Sequence, residues 1–571
     1  MTGLGIETRP KSSQGKHRRF HSSKMFFREP PISKAQWESK EYVEYCIKHR
    51  QELSSVLPSF MTASLHPDNL DAENVPRINK EKPKQPAFIN EMPTEILLDI
   101  FSQAIPSTDI NPFNTTAGPW ALSKVCKKWD SIITAYAPLW TNITIDTSPK
   151  AINVLKPYRC LLDILKRSQD QPLSIRFVEG EDSLPYETHT LLRILMKHAP
   201  RWKKLDFTFS NPETIAVLDA VRGRLDSLES LTFSASPGII ADMPWSATPC
   251  RIFADAPKLR SADVSVGGFT LELPFAQLKS LSDHWCGARA KEMSIPEGIT
   301  KYLQEMGQVE AYNLYGPELK NVTPMADNMR LPFLRTLYAG DPRVLRSVIA
   351  PRLEEVHVQP FNKEAREVNL PVLLFLIERS GCSLRKIILG DCIPVVNKFI
   401  SMLRASPTLE ELALSFTEWD DRMDSYLLEI FPSIHVKGGE EEGEGGTLVP
   451  RLTKLNILVQ HKHTSRMVPS MSFLRDTLIA AVENRRNHQV ASVAKLASVE
   501  VRAAVLVKQD MVVSPGVGNV ERWNRLKEGG MEALFHVLGG KADDECPPAD
   551  SRMLRVDPDP YSRAYLQREY V

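Results

Sequence analysis

Leu228-Glu-Ser-Leu231-Thr-Phe233 and Leu384-Arg-Lys-Ile387-Ile-Leu389 share one phrase: an apolar residue, two polar ones, an apolar residue, one intervening position, and an apolar residue again. The alternation of its second half is that of a strand with one face buried. The phrase returns at Trp202-Lys-Lys-Leu205-Asp-Phe207, Leu259–Val264, Leu353–Val358, Leu409–Leu414 and Leu452–Ile457. Shorter or weaker copies stand at Leu334–Leu337, Leu278–Leu281 and Val309–Leu314. From Trp202 to Leu409 successive copies start 19 to 31 residues apart. Helical patterns lie between them, at Leu191–Leu195, Pro371–Ile377 and Val395–Leu403. A unit of one strand and one helix cannot cover its own apolar face and buries it against the next unit, so this spacing predicts a stacked array. An ordinary doubly wound sheet is the other reading, but it gives no reason for the phrase to recur.

The phrase and its period resemble the leucine-rich repeat. The asparagine that completes the standard repeat is missing after most copies and the spacing is uneven, so the array is expected to be irregular, with insertions around Pro237–Cys250 and Asp283–Ile299. The expected fold class is α+β: a small helical module followed by an irregular leucine-rich-repeat (α/β) solenoid over 143–535. The Gly/Glu run Lys437–Gly446 predicts a mobile acidic loop at 437–446. Beyond it come a helix at Phe473–Val482, a strand at Leu496–Val501, a helix at Val520–Glu532 and, over 536–571, a disordered polar tail. The positions between the apolar residues of each phrase, among them Asp206, Thr232, Asp263, His357 and Ala413, are expected to point outward and to meet a substrate.

Upstream of the array, Met92-Pro93-Thr94-Glu95-Ile96-Leu97-Leu98-Asp99-Ile100-Phe101 predicts a helix. Pro93 suits a first turn, Glu91 and Glu95 suit the positive end of the dipole, and Ile96, Leu97, Ile100, Phe101 and Ala104 form an apolar stripe ending near Ile105-Pro106. A polar stretch, Ser107–Gly118, precedes a second helix from Pro119-Trp120, with Leu122, Val125, Cys126, Trp129, Ile132 and Ile133 on its apolar face. Pro138-Leu139-Trp140 closes this unit, at 88–142, and Asn142–Asp146 alternates like a strand. Further upstream, a basic leader expected to be disordered (1–33), an amphipathic helix (34–57) and a proline-rich linker (58–87) complete the chain.

Residues 92–140 resemble the F-box of fungal F-box proteins, especially the large basidiomycete-type set. The match lies in Met92-Pro93-x-Glu95-Ile96-Leu97-x-x-Ile100-Phe101, Trp120-x-Leu122-x-x-Val125-Cys126-Lys127-x-Trp129 and Pro138-Leu139-Trp140. Met92 stands where leucine is usual, a volume-conserving exchange, and Ser107–Gly118 lengthens the turn between the helices. The likeness extends over about residues 34 to 535, because the family often carries an N-terminal helix, a degenerate leucine-rich region and a late helix followed by a strand. It implies docking on a Skp adaptor bound to a cullin scaffold, and hence a substrate-recognition subunit of a ubiquitin ligase with an unknown protein substrate. Pro93, Ile96, Leu97, Ile100, Val125, Cys126 and Trp129 would be the adaptor contacts or their supports. Phe101, Trp120, Leu122, Leu139 and Trp140 would form the core of the module. A leucine-rich scaffold with no ubiquitin link, and an enzyme on an α/β core, are the competing readings.

Composition narrows the classes. With 71 basic and 70 acidic residues the chain has no global pull toward nucleic acid or anionic membrane, and neither partner is expected. The basic stretches Lys11–Lys24 and Arg485-Arg486 are short. No run of about 20 apolar residues is long enough to span a bilayer, and the expected address is cytoplasm or nucleus. The eight cysteines show no metal-knuckle or redox spacing. His461-Lys-His463 lacks further ligands, Gly516-Val-Gly518 reads as a turn, and no phosphate loop or nucleophile elbow is present. No catalytic residue, metal or cofactor is expected.

Overall fold

The computed structural model describes residues 92–539 apart from 106–109, 148–154, 182, 184, 236–249, 266–270, 285–294, 316–327, 361–362, 418, 437–446, 462–471, 475 and 506–516. The expected leader, amphipathic helix, linker, acidic loop and the tail from residue 540 lie outside the described residues, as do His463 and Gly516. The chain divides into two units, Met1–Gln85 and Pro86–Val571, and every described residue belongs to the second.

The second unit begins with α1 (Thr94–Ala104), α2 (Pro119–Ser123), α3 (Lys127–Ala135) and a 3-10 turn at Ala137–Trp140. Strands then alternate mostly with helices. The first stretch runs β1 (Asn142–Asp146), α4 (Leu155–Arg167), β2 (Leu173–Val178), α5 (Pro185–Met196), β3 (Trp202–Phe209), α6 (Pro212–Leu218), β4 (Ser230–Ala235), β5 (Ser261–Val264) and β6 (Ser280–His284). The middle holds α7 (Ile295–Glu305), β7 (Ala311–Tyr315), β8 (Met329–Arg330), β9 (Thr336–Ala339), α8 (Pro342–Ser347), β10 (Val348–Ile349), β11 (Glu355–Val358), α9 (Lys363–Ser380) and β12 (Lys386–Gly390). The last stretch is α10 (Val396–Arg404), β13 (Glu411–Phe416), α11 (Asp421–Ser433), β14 (Lys454–His461), α12 (Thr477–Asn487), β15 (Ser498–Val505), α13 (Val517–Glu528) and β16 (Glu532–Gly539).

Among the described residues the strands form one 14-stranded sheet in chain order, β1-β2-β3-β4-β5-β6-β7-β9-β11-β12-β13-β14-β15-β16, with β8 and β10 paired separately. All the pairings are parallel, and the order never reverses, so the sheet lacks the switch point of a doubly wound fold. With right-handed crossovers, an unreversed order sends the connecting helices to one side. All ten copies of the phrase are strands. Their fourth positions stack without offset: Leu205 opposite Leu231, then Ala262, Leu281, Tyr312, Leu337, Val356, Ile387, Leu412 and Leu455. Each buried leucine, isoleucine or valine of this ladder contributes about 1.5–3 kcal/mol through the area it removes from water. The backbone repeats with the same regularity. Arg260 and Ser261 N–H both donate to Glu229 O, Lys279 and Ser280 to Arg260 O, and Arg385 and Lys386 to Glu354 O. Phe177, Phe207 and Phe233 stack beneath the sheet at 5.3 and 5.9 Å between ring centres.

Several expectations need correction. The second helix of the module is broken into α2 and α3 at Lys124–Cys126. Trp120 and Trp129 are nine residues apart, about 180° around a continuous helix. The break lets Trp120 meet Trp140 (4.8 Å) while Trp129 meets Phe101 (4.6 Å). The stretch Ser107–Gly118 is more than a polar turn: Ile110 is buried, donates its N–H to Asn142 O at 2.8 Å and accepts from Thr144 N–H at 3.0 Å, lining the edge of β1. Leu97, Phe101, Ile133 and Trp140 of the module share one continuous core with the array. At the other end, the expected tail boundary at 536 cuts through β16, and the expected helix Val520–Glu532 is α13, ended by the turn at Gly529-Gly530. Phe473–Val482 is divided between a 3-10 turn, Ser472–Leu474, and α12. The insertion expected at Asp283–Ile299 is ordered at both ends, by β6 and α7.

Candidate functional site

Two surfaces carry the residues singled out above. The first is the start of the helical module. Pro93 is exposed at the N-terminus of α1, where its carbonyl accepts from Leu97 N–H at 3.1 Å. Leu97 and Phe101 turn inward and are fully buried, whereas Ile96 is 47% exposed and Ile100 half-buried. Pro93, Ile96 and Ile100 follow helical spacing, so α1 carries two apolar stripes, one facing the core and one facing out. Lys128 Nζ donates to Met92 O at 3.1 Å and so brings the start of α3 beside the start of α1. Val125, just before α3, is 59% exposed and Cys126 is half-buried. Five of the seven expected contact residues, Pro93, Ile96, Ile100, Val125 and Cys126, thus keep surface, and Leu97 and Trp129 lie beneath them.

The expected module core divides in the same manner. Phe101, Leu139 and Trp140 are buried, and Trp120 and Leu122 are partly buried against the core. Trp140 Nε1 donates to Ile133 O at 2.8 Å. The Arg167 guanidinium, at the end of α4, lies 4.7 Å from the Trp120 ring and 4.4 Å from the Trp140 ring. Contacts of that kind contribute about 0.5–2 kcal/mol each, and here they tie the module to the first helix of the array.

The second surface is the face of the sheet opposite the core. Five neighbouring strands, β5, β6, β7, β9 and β11, place Asp263, His284, Tyr315, Tyr338 and His357 there. Asp263 Oδ1 meets His284 Nε2 at 3.2 Å. The His284 ring stacks on Tyr315 at 4.3 Å and 3°, Tyr315 on Tyr338 at 4.1 Å, and Tyr338 meets His357 edge-on at 4.3 Å. Burial, with the Lys386 charge adding to it, lowers the His357 pKa to about 4, so this ring is uncharged at neutral pH. Asp206, Thr232, Asp263 and His357 keep part of their surface as expected, but Ala413 is buried and leaves the set. His284, Tyr315 and Tyr338 were missed. His284 and Tyr315 each follow the sixth position of a weak phrase, held by Asp283 and Leu314, and a search for aromatic residues at that offset would have found these two but not Tyr338.

Other polar groups have structural work. Tyr302 Oη donates to Asp283 Oδ2 at 2.9 Å and meets Tyr312 Oη at 3.0 Å inside the core, and burial pushes both phenol pKa values well up. Arg485-Arg486 is not a surface patch: Arg485 is buried, donating to Ile434 O and Leu448 O, and Arg486 donates to Leu496 O and Gly529 O. Of the five described cysteines, Cys126, Cys160, Cys250 and Cys382 are half-buried and Cys392 is buried, and burial raises the thiol pKa of Cys382 to about 11. Among the described residues no helix is long and apolar enough to cross a membrane, and no three His, Cys, Asp or Glu side chains group as a metal site. No protein-family model matches the chain, and no curated protein matches it either.

Proposed function

We propose that the chain is the substrate-recognition subunit of a Skp–cullin–F-box type ubiquitin ligase. The helical module docks a Skp adaptor and, through it, a cullin scaffold. A leucine-rich solenoid built from the repeated phrase holds a protein substrate on its outer strand face. The observation that carries this reading is the second apolar stripe of α1. Pro93 and Ile96, with half-buried Ile100, expose apolar surface on a small helical unit whose other stripe is already committed to the core, and Val125, just before the helix whose Lys128 bonds Met92 O, is exposed as well. Apolar surface of this kind marks a site covered by a partner. The resemblance to the F-box involves the same residues. The chain itself is non-catalytic in this reading, needs no cofactor, and works in cytoplasm or nucleus. It raises the effective concentration of the substrate near the transfer enzyme.

The test is co-purification of the full chain with a recombinant Skp adaptor. The double variant Ile96→Asp, Val125→Asp removes exposed side chains and should lose the complex while keeping the melting temperature. Each anchor is expected to contribute about 2 kcal/mol or more, roughly thirty-fold in affinity. Leu97→Asp, at a fully buried position, should unfold the module instead. Failure of the intact chain to bind the adaptor would sink the proposal.

A further inference from the structure

The units of β9 and β11 are joined ahead of their phrases as well as along them. Arg330-Leu331-Pro332-Phe333-Leu334 runs beside Ile349-Ala350-Pro351-Arg352-Leu353, with Arg330 in register with Ile349 through the β8–β10 pair. Leu331 N–H donates to Ile349 O at 2.9 Å. Further along, Phe333 is 38% exposed and the Arg352 guanidinium lies 5.2 Å from the centre of its ring. Arg330, Arg346 and Arg352 are all exposed, with Arg346 in the last turn of α8, which runs directly into β10. The stretch Asn328–Glu354 holds five arginines, no lysine and two acids. Two of the arginines are matched, Arg335 with Glu354 at 3.6 Å and Arg343 with Asp341. The other three are not: among the described residues none of them makes an ion pair or donates a hydrogen bond from its side chain.

The helix dipole accounts for only part of this. A cation in the last turn of a helix is favoured, which explains Arg346, but Arg330 stands on β8 and Arg352 in a turn. Nearby on the same edge, Lys279 is held by Glu310 at 2.9 Å and Arg385 by Glu410 at 3.1 Å. Three unmatched guanidinium groups around an exposed aromatic ring attract carboxylates, which the planar arginine fork holds through two parallel hydrogen bonds. The ring adds apolar surface between the charges.

We propose that this surface docks a short acidic segment of a partner protein. Two of its carboxylates pair with Arg330 and Arg352, and an apolar side chain between them covers Phe333. Arg352 follows Ile349, the register partner of Arg330, by three residues, at most about 11 Å of chain. Acids about two to four residues apart in an extended segment span that distance. The neighbouring units favour a short segment over a long polyanion. Exposed Glu305 and Glu310 precede β7 and exposed Glu378 precedes β12, and they repel a phosphate backbone that continues along the edge. The surface is separate from the helical module and from the outer strand face, so its test stands apart from the ligase reading.

The experiment is fluorescence anisotropy of the full chain with a labelled Gly/Ser peptide carrying glutamates on either side of one leucine. The same peptide with glutamines, and a single-stranded oligothymidylate of equal charge, are the comparisons. At low salt the glutamate peptide is expected to bind at least about ten-fold more tightly than either, and its affinity should fall as salt is added. Arg330→Gln and Arg352→Gln should each weaken it about five-fold, with circular dichroism unchanged. Arg404→Gln removes an equal charge from the exposed end of α10 and should leave binding unaltered. No binding of the glutamate peptide, equal or tighter binding of the glutamine peptide or the oligonucleotide, or unchanged binding in both arginine variants would overturn the proposal. A loss in Arg404→Gln as large as in Arg352→Gln would do so as well, since only net charge would then be read. Adaptor capture from the same preparation reports separately on the ligase reading.

Discussion

His357 lies against the edge of the Tyr338 ring, and its burial has a thermodynamic consequence. The unfolded chain takes up a proton on this ring near pH 6.5, but the folded chain does so only near 4. A depressed folded value means that stability present above pH 6.5 is lost as pH falls toward 4, about 2 kcal/mol of it between pH 7 and pH 5. Thermal unfolding of His357→Gln should therefore show a shallower fall over that interval than the wild-type chain, and parallel curves would refute the account. Asp391 is a different case. Its φ of +48° is a left-handed backbone that costs a side-chain-bearing residue about 1 kcal/mol or more. The carboxylate offsets this by accepting from Thr417 N–H at 2.6 Å, from Thr417 Oγ1 and from Gln359 Nε2 at 3.2 Å. Asp391→Ala keeps the strain and strips those acceptors, so it should lower stability by about 2 kcal/mol in urea unfolding. Asp391→Gly, which loses the acceptors but relieves the backbone, should lose less. An equal loss in both would show that the backbone is unstrained.

At the scale of elements, the second position of each phrase makes a feature that no single copy shows. Lys203 pairs with Glu229 at 3.4 Å, Lys279 with Glu310 at 2.9 Å, Arg335 with Glu354 at 3.6 Å and Arg385 with Glu410 at 3.1 Å. Each pair joins neighbouring strands of the large sheet at the same edge, and only Arg260 beside Lys279 places like charges next to each other there. Exposed pairs of this kind contribute under about 1 kcal/mol each. Arg385→Glu should lower the melting temperature slightly, by placing like charges opposite one another, and the exchange Arg385→Glu with Glu410→Arg should restore it. Molar salt should erase the difference, and a deficit that persists in high salt would mean packing rather than charge. The array was legible because its phrase repeats: every copy became a strand, and the clearest inter-phrase helix, around Phe399, is α10. β2 was missed because Leu173-Ser-Ile-Arg-Phe177 alternates without the leading part of the phrase, behind Gln171-Pro172. α9 begins at Lys363, ahead of the expected Pro371, which sits inside the helix without ending it. The break between α2 and α3 carries no glycine or proline, and two tryptophans that must both face inward impose it. The ring string was invisible for a related reason: its members come from five strands, and only register brings them together.

On the scale of the whole molecule, the ligase reading requires that a docking module hold the recognition face at a fixed position, and the contacts between module and array are of the kind that transmit such constraint. Ile110 bonds to the edge of β1, Trp140 Nε1 bonds back to Ile133 O, and the Arg167 guanidinium lies over both the Trp120 and the Trp140 rings. A flexible tether would have none of these. In a stacked array each unit touches chiefly its neighbours, so a perturbation at one end should decay along the chain instead of spreading through it. Arg167→Ala removes both ring contacts while leaving the aromatic pair in place, and it should loosen the junction without unfolding either side. Amide hydrogen exchange is the measurement. Protection should fall in α3, in α4 and in β1, the elements that meet at the junction, and should remain as in the wild-type chain in β12, β13 and β14. The outer-face strands that carry Asp263 and Tyr338 lie between these limits and should change little. Faster exchange throughout the sheet would show that the unit unfolds as one cooperative body. Faster exchange confined to the few residues around Arg167 would show that module and array are joined more loosely than the shared core requires, and that the docking geometry depends on the adaptor to hold it.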